Sequence, residues 1–356
     1  MGSLIQSSIA EDFELFKKQY ADFSEGRLDS LTFKTIRVPF GIYEQRESDT
    51  YMVRVKLPGG KITPAQLSVL CDIAQEYAHK NIHITTRGGV QLHYAKLKDI
   101  IDIIAKLHSI GLSGRGGGGN TVRNITSDPL AGVAKDEVFD VTPHVLAMNK
   151  KMLEQKDSFA LPRKYKIAFS GSSADRGYAT ISDVGLIAKM LDGKKGFALY
   201  VAGGLGAKFR LSTKISDFIP EKEIFLYAQS IKKIFDKYGN RKNKHAARLR
   251  FLFDELGEDK FRELLTKEIE EVKNDGDWEL ELESQKEEVK SIGGEDITLN
   301  RKQQLWWDRF VYDQKQNGLY GCKIPINLGD IDFNDAKKLA LALDGLGLHG
   351  ANRQAP

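Results

Sequence analysis

Cysteine is nearly absent: Cys71 and Cys322 are the two thiols in 356 residues. Set so far apart, they offer neither a disulfide framework nor a CxxC-type metal or cluster motif, and both read as reduced structural thiols. Long apolar runs are missing as well. No stretch approaches the roughly 18 apolar residues that a membrane helix needs, so no membrane association is expected. The N-terminus, MGSLIQSSIAEDFELF, puts acids where a secretory signal carries its apolar core, and the expected location is cytoplasmic. Net charge is small too. At +4 over the whole chain, global electrostatics argues against a nucleic-acid partner. A hydrophobic content of 41% is ordinary for a globular protein and sufficient for two or three packed domains.

The charge that is present is clustered. Basic residues gather at Arg115 to Arg123, Arg163 to Lys166 and Arg241 to Arg250, whereas Glu268 to Glu288 is acidic. This asymmetry suggests a cationic cavity, with the acidic stretch at the surface or in a connector.

Residues 1–45 read as an N-terminal arm, helical over 11–30 and strand-like from Thr32 to Val38. Tyr51 to Leu57 alternates as a strand that places Arg54 and Lys56 on one face, and Pro58-Gly59-Gly60 ends it. Ile62 to Tyr77 has helical spacing, with Thr63 as cap and Pro64 in the first turn. Asn81 to Thr86 and Gln91 to Tyr94 read as strands around the Gly88-Gly89 turn, and Leu97 to Leu107 as a second helix. That order makes 46–115 a small α+β unit. A larger α/β domain follows over 116–273, with strands expected at Tyr165 to Ser170 and Phe197 to Val201. Its helices are expected at Ile181 to Met190, Glu221 to Tyr238 and Ala246 to Leu256. Residues 274–303 form a charged connector. From 304 to 356 the pattern restarts: Gly318 to Ile331 and a helix from Asp335 to Leu343 echo residues 51–77 in order.

Three segments carry chemical signals. In GRGGGGNTVRN (114–124), four glycines let backbone come close to a planar or anionic ligand that the neighbouring Arg and Asn side chains can bind; a flexible loop is the competing reading. In LPRKYK (161–166), strand period sets Lys164 and Lys166 on one face and Arg163 on the other, as an anion site or as a solvated edge strand. In TTRGGVQLH (85–93), Thr85, Arg87, Gln91 and His93 either converge from a hairpin end or are exposed polar residues.

Taken together, these segments resemble the siroheme-dependent sulfite and nitrite reductases. The resemblance rests on Arg54 in MVRVKLPGG, on TTRGGVQLH, on Asn120 and Arg123 in NTVRN, and on LPRKYK. It also includes Pro129 to Gly132, Asp140 to Pro143, Gly203-Gly204 and WDRFVYDQKQNG at Trp307 to Gly318. It implies an α+β chain: a ferredoxin-like half-domain, an α/β siroheme-binding domain, and the start of a second ferredoxin-like half-repeat. The two half-repeats would pack together, with the strand near Leu319 to Ile326 beside the first unit. By position, Arg54, Arg123, Lys164 and Lys166 would face a sulfite or nitrite anion on the siroheme iron. Thr85, Arg87, Gln91, His93, Asn120 and Arg163, with Arg248 and Arg250, would hold the siroheme carboxylates. A lysine at 166 favours sulfite, which can be doubly negative.

The family also carries a [4Fe-4S] cluster on four cysteines and takes electrons from a ferredoxin or a flavoprotein. Those cysteines are not in this chain: Thr126 to Pro129 and Ser170 to Ser173 hold no thiolate. The expectation is therefore the N-terminal part of a sulfite or nitrite reductase, needing a separate C-terminal half or self-association across an open crevice. The alternative is a non-catalytic tetrapyrrole- or anion-binding module, or a truncated inactive product.

Overall fold

The structure is a computed structural model and describes residues 5–206, 208–283 and 298–345. Helix α1 (Ser7–Ser24) buries Ile9, Phe13 and Phe16, the two phenylalanines in the first core, and α2 (Ser30–Arg37) follows it. The strand expected over 32–38 is thus a helix. Asp29 caps it by accepting the Leu31 and Thr32 N–H groups, and Phe33 and Arg37, four apart, are both buried. The short Thr32–Val38 segment fits either period, and the cap decides.

Strands β1 (Ile42–Glu44) and β2 (Tyr51–Val55) pair antiparallel. Helix α3 (Pro64–Tyr77) begins at a capping box between Thr63 and Gln66. Strands β3 (Asn81–Ile84) and β4 (Val90–Ala95) form the next hairpin, and α4 (Ile100–Ser109) closes the unit. β4 pairs with both β2 and β3. Alternation gives the sheet two characters: Val53, Val55, Ile82, Val90 and Leu92 join the core with α3 and α4, while Arg54, His83, Gln91 and His93 face the other way, half-buried.

The second unit starts with α5 (Thr142–Glu154) and a four-stranded sheet in sequence order: β5 (Ile167–Ser170), β6 (Val184–Leu191), β7 (Lys194–Val201) and β8 (Thr213–Pro220). β5 and β6 are parallel and the other pairs antiparallel. The helix expected at Ile181 to Met190 is therefore strand β6. Its residues Val184 to Ala188 are all buried, and a continuous apolar run has no period to separate a central strand from a core helix. Gly185 is required there, since a Cβ would lie 2.2 Å from the Ala179 carbonyl oxygen. Helices α6 (Ile224–Tyr238), α7 (Leu249–Leu256) and α8 (Glu258–Lys273) complete this unit.

Residues 284–297 of the charged connector lie outside the described residues. Beyond it come α9 (Arg301–Phe310), a hairpin of β9 (Val311–Asp313) and β10 (Tyr320–Cys322), then β11 (Asp330–Asp332) and α10 (Phe333–Gly345). The segment Leu319 to Ile326, expected beside the first unit, instead supplies β10, which pairs with β9. That hairpin is held to the second unit, where the Lys315 N–H donates to the Val133 carbonyl and Gln316 Nε2 donates to the Gly132 carbonyl. The strand that docks on the first unit is β11, antiparallel to β3. Behind it, α10 buries Phe333, Ala336 and Ala340 against the first core. The apolar face of α10 needs α3, and β11 is the strand adjoining that helix.

Candidate functional site

The site lies where the polar face of the first sheet meets the second unit. The glycine run forms its floor. Gly116 and Gly119 have φ of +78° and +68°, and a Cβ on Gly118 would come within 2.1 Å of the Val38 carbonyl oxygen. The glycines are thus required for close approach to the first unit's backbone, a different reason from the ligand contact expected of them. The carbonyls of Gly117 and Gly119 then bind cations. Arg54 Nη1 donates to Gly117 O at 2.9 Å, and Arg123 donates to Gly117 O and Gly119 O at 3.0 Å each. Arg54 also lies over the Tyr43 ring, 5.2 Å from its centre.

Arg87, at the tip of the β3–β4 turn, reaches across to the second unit and donates to the Asn124 carbonyl at 2.7 Å. Asn124 Nδ2 returns the connection, donating to the carbonyls of Leu57 and Arg87. Tyr165 is wholly buried and its hydroxyl donates to Ala228 O, so strand alternation presents Lys164 and Lys166 on the opposite side. From the head of α7, Arg248 and Arg250 come in beneath Gly203-Gly204, where a Cβ on Gly204 would sit 2.6 Å from Arg250 Nη1.

Crowding of like charge in a dry place marks this cluster. Burial, with Arg87 and Arg248 nearby, pulls Lys166 down to about 7, and burial, with Arg248, Arg123 and Arg163, pulls Lys164 down to about 8. Burial lowers Arg87 to about 10 and depresses Arg123 and Arg250 from their usual range. Arg87 Nε, Arg123 Nε and Arg250 Nε and Nη1 are buried without a hydrogen-bond partner among the described residues. Such donors are costly to leave unpaired, and together they fit a ligand bearing several carboxylates and an oxyanion.

Other sequence candidates are placed differently. Arg163 is half-buried, and its charge bears on Arg123 and Lys164. Gln91 is the register partner of Arg54. His93 is 3.3 Å through Nδ1 from Gln45 Nε2, and burial lowers its pKa. The Thr85 hydroxyl oxygen accepts the Arg87 and Gly89 N–H groups and so serves the turn. The Asn120 side chain is exposed, and its main-chain carbonyl accepts the Leu161 N–H.

Sequence reasoning missed two members. Lys56 was visible as the face-mate of Arg54. Its amine is fully buried without a hydrogen-bond partner among the described residues, and burial, with Arg123, Arg115 and Arg87 around it, holds it at about 7. Asp183 left no motif. Its carboxylate takes Arg248 in a bidentate pair at 2.9 and 2.8 Å and accepts the Lys166 N–H at 2.8 Å.

Two family models match this chain: the nitrite/sulfite reductase ferredoxin-like half domain over residues 43–110, and the nitrite and sulphite reductase 4Fe-4S domain over residues 118–273. The chain belongs to the siroheme sulfite/nitrite reductase family. The assimilatory ferredoxin-dependent nitrite reductase of Haloferax mediterranei is 28% identical over 329 residues, 86% of this chain and 54% of that protein. The sulfite reductase [ferredoxin] 1 of Mycolicibacterium paratuberculosis is 32% identical over 223 residues, 62% of this chain and 40% of that protein. The solved structure of the Mycobacterium tuberculosis NirA protein superposes with a TM-score of 0.75 at 25% identity, covering 91% of this chain and 58% of that one. The chain spans about half the length of the curated relatives it matches.

Within this family the two cofactors fare differently here. The donor set described above fits siroheme. The [4Fe-4S] cluster does not fit: Cys71 is buried in the first core and Cys322 lies on the β9–β10 hairpin. Residues 126–129 and 170–173 are occupied by other bonds. Arg176 pairs with Asp128 at 3.1 Å and with Asp136 at 2.8 Å, Ser172 Oγ donates to Asp136, and Ser170 Oγ donates to Asp175.

Proposed function

We propose that this chain binds siroheme and a small oxyanion, sulfite in preference to nitrite, and serves as the N-terminal part of a reductase in the sulfite/nitrite family. The observation that carries this reading is the set of buried, unpaired guanidinium N–H groups on Arg87, Arg123 and Arg250, gathered with Lys164 and Lys166 around one floor. In the reading, Arg87, Arg123, Arg163, Arg248 and Arg250, with Gln91 and His93, hold the siroheme carboxylates. Arg54, Arg123, Lys164 and Lys166 face the substrate anion. When bound, siroheme supplies an iron to which the anion attaches and through which electrons reach it. The lysines contribute what a shedding oxyanion needs: charge to hold it and, with pKa values of about 7 and 8, protons that can leave near neutral pH. Two ammonium groups favour doubly charged sulfite over singly charged nitrite.

Electrons would come from a ferredoxin, the donor named for the relatives, by way of a cluster whose thiolates another chain or segment supplies. Exposed apolar side chains support such a partner: Leu205, Phe209 and Leu211 beyond Gly204, and Leu305, Trp306 and Trp307 on α9. The cysteine count also favours a second reading, a siroheme-binding module without turnover of its own.

Titration of the purified chain with siroheme tests both readings. A haem absorption band saturating near one equivalent is expected, with affinity reduced ~10-fold or more in Arg87→Met, a change of about 1.4 kcal/mol. Sulfite is then expected to shift the band at lower concentration than nitrite. A chain that shows no band with siroheme binds none, and the proposal fails.

A further inference from the structure

The cation cluster contains one carboxylate whose placement none of the roles above explains. Asp183 precedes β6 and is completely buried. Its Oδ1 and Oδ2 accept from Arg248 Nη2 at 2.9 and 2.8 Å, and Oδ1 accepts from Arg248 Nε at 3.3 Å. Oδ2 also accepts the Lys166 main-chain N–H at 2.8 Å, while the Val184 N–H donates to the Lys166 carbonyl. One side chain therefore ties the lysine segment to the parallel β5–β6 edge and to the head of α7.

The charged groups around it come from four places: Arg87 from the β3–β4 turn, Lys164 and Lys166 from the segment before β5, Arg248 and Arg250 from α7, and Arg123 and Arg163 beyond them. All are cations. Among the groups acting on Arg87, Lys164 and Lys166, Asp183 alone acts to keep the charge on; the others act with burial to remove it.

We propose that Asp183 is the positioning residue of the oxyanion site: it fixes Arg248 and the Lys166 backbone in one arrangement and supplies the negative charge against which Lys164 and Lys166 stay ammonium. This rests on the reading of the cluster as an oxyanion and siroheme site, since otherwise the lysines' charge has no task. Asp183 touches no substrate position itself. It acts through its neighbours. A buried carboxylate taking a bidentate arginine also stabilises any fold, so the deciding readout has to be the lysines.

Reductive methylation with ¹³C-formaldehyde makes each lysine visible by NMR, and Lys164→Arg and Lys166→Arg identify the two signals. In the siroheme-free chain their titration midpoints are expected near 8 and 7. In Asp183→Asn the Lys166 midpoint is expected to fall by about one pH unit or more, and that of Lys164 by less, because the opposing charge is gone. Asp183→Glu, which restores the charge, is expected to bring them back. Unchanged midpoints in a folded Asp183→Asn chain overturn the proposal. If that variant does not fold, the unsubstituted chain still decides: a Lys166 midpoint below about 6, or at the ordinary lysine value, overturns it. These titrations need no siroheme, so a chain with the expected lysine behaviour but no haem band refutes the ligand reading and leaves the electrostatic role of Asp183 standing.

Discussion

At the scale of single residues, burial of cations governs behaviour. Lys56 shows it most sharply, with a fully buried amine, no hydrogen-bond partner among the described residues and three guanidiniums around it. Its folded-state pKa of about 7 lies below that of an unfolded lysine, near 10.4. Between those values the unfolded chain binds a proton that the folded chain does not, so stability rises with pH across the window. Below about 7 both states are protonated and the penalty is complete. Lys166 and Lys164 act in the same direction. In the ligand-free chain, unfolding free energy from urea denaturation is expected to climb from pH 7 to pH 9.5. Each such group adds up to about 1.4 kcal/mol per pH unit. Lys56→Met is expected to flatten that climb by about one proton without loss of stability at pH 7. An unaltered slope would show that Lys56 is not the buried titrating amine described.

At the scale of elements, the docking of β11 makes a local forecast possible. Gly329, just before it, has a φ of +80°, and a Cβ there would stand 2.6 Å from the Ile84 carbonyl oxygen. Gly329→Ala cannot keep the present path of the chain into β11. A destabilisation of about 1–3 kcal/mol is expected, with faster amide exchange confined to β3 and β11. Exchange that stays slow at Asn81 to Ile84 would show that the strand tolerates the side chain. Freed of β11, β3 becomes an open sheet edge, so aggregation on storage should accompany the exchange.

At the scale of the whole molecule, the site is a concentration of like charge between two units, and an anionic ligand relieves it. Siroheme at about 100 times its dissociation constant is expected to stabilise the chain by about 2.7 kcal/mol. It should also lessen the pH dependence described for the free chain: burial remains the main cause of the lowered Lys56 and Lys166 pKa values, but carboxylates beside Arg87 and Arg123 offset the repulsion that adds to it. Thermal melts with and without siroheme at pH 7 and 9 check both effects. Equal shifts at the two pH values would separate ligand binding from lysine protonation. Among the described residues no helix is long and apolar enough to cross a membrane.

Much of this was legible in the sequence because it is local. Thr63 to Gln66 announce α3, and alternation puts Arg54 and Lys56 on one face of Tyr51 to Leu57 and Lys164 and Lys166 on one face of the segment before β5. The ordered motifs are enough to name the family. Where local signals were ambiguous, tertiary structure decided. Phe33 and Arg37 suit a helix or a strand until Asp29 caps them, and Val184 to Ala188 has no period because both of its faces are buried. Leu319 to Ile326 resembles a docking strand, yet β11 takes that edge because α10, with its apolar face on α3, fixes which segment lies beside β3. The cluster itself belongs to the tertiary level. Arg54, Arg87, Arg123, Lys166 and Arg248 come from segments far apart in the chain, and only packing gathers them, so that burial, with Arg87 and Arg248 nearby, lowers the Lys166 pKa. Asp183, a single acid in an unremarkable stretch, acquires its meaning from the cations folded around it, since a charge has a role only in relation to the charges near it.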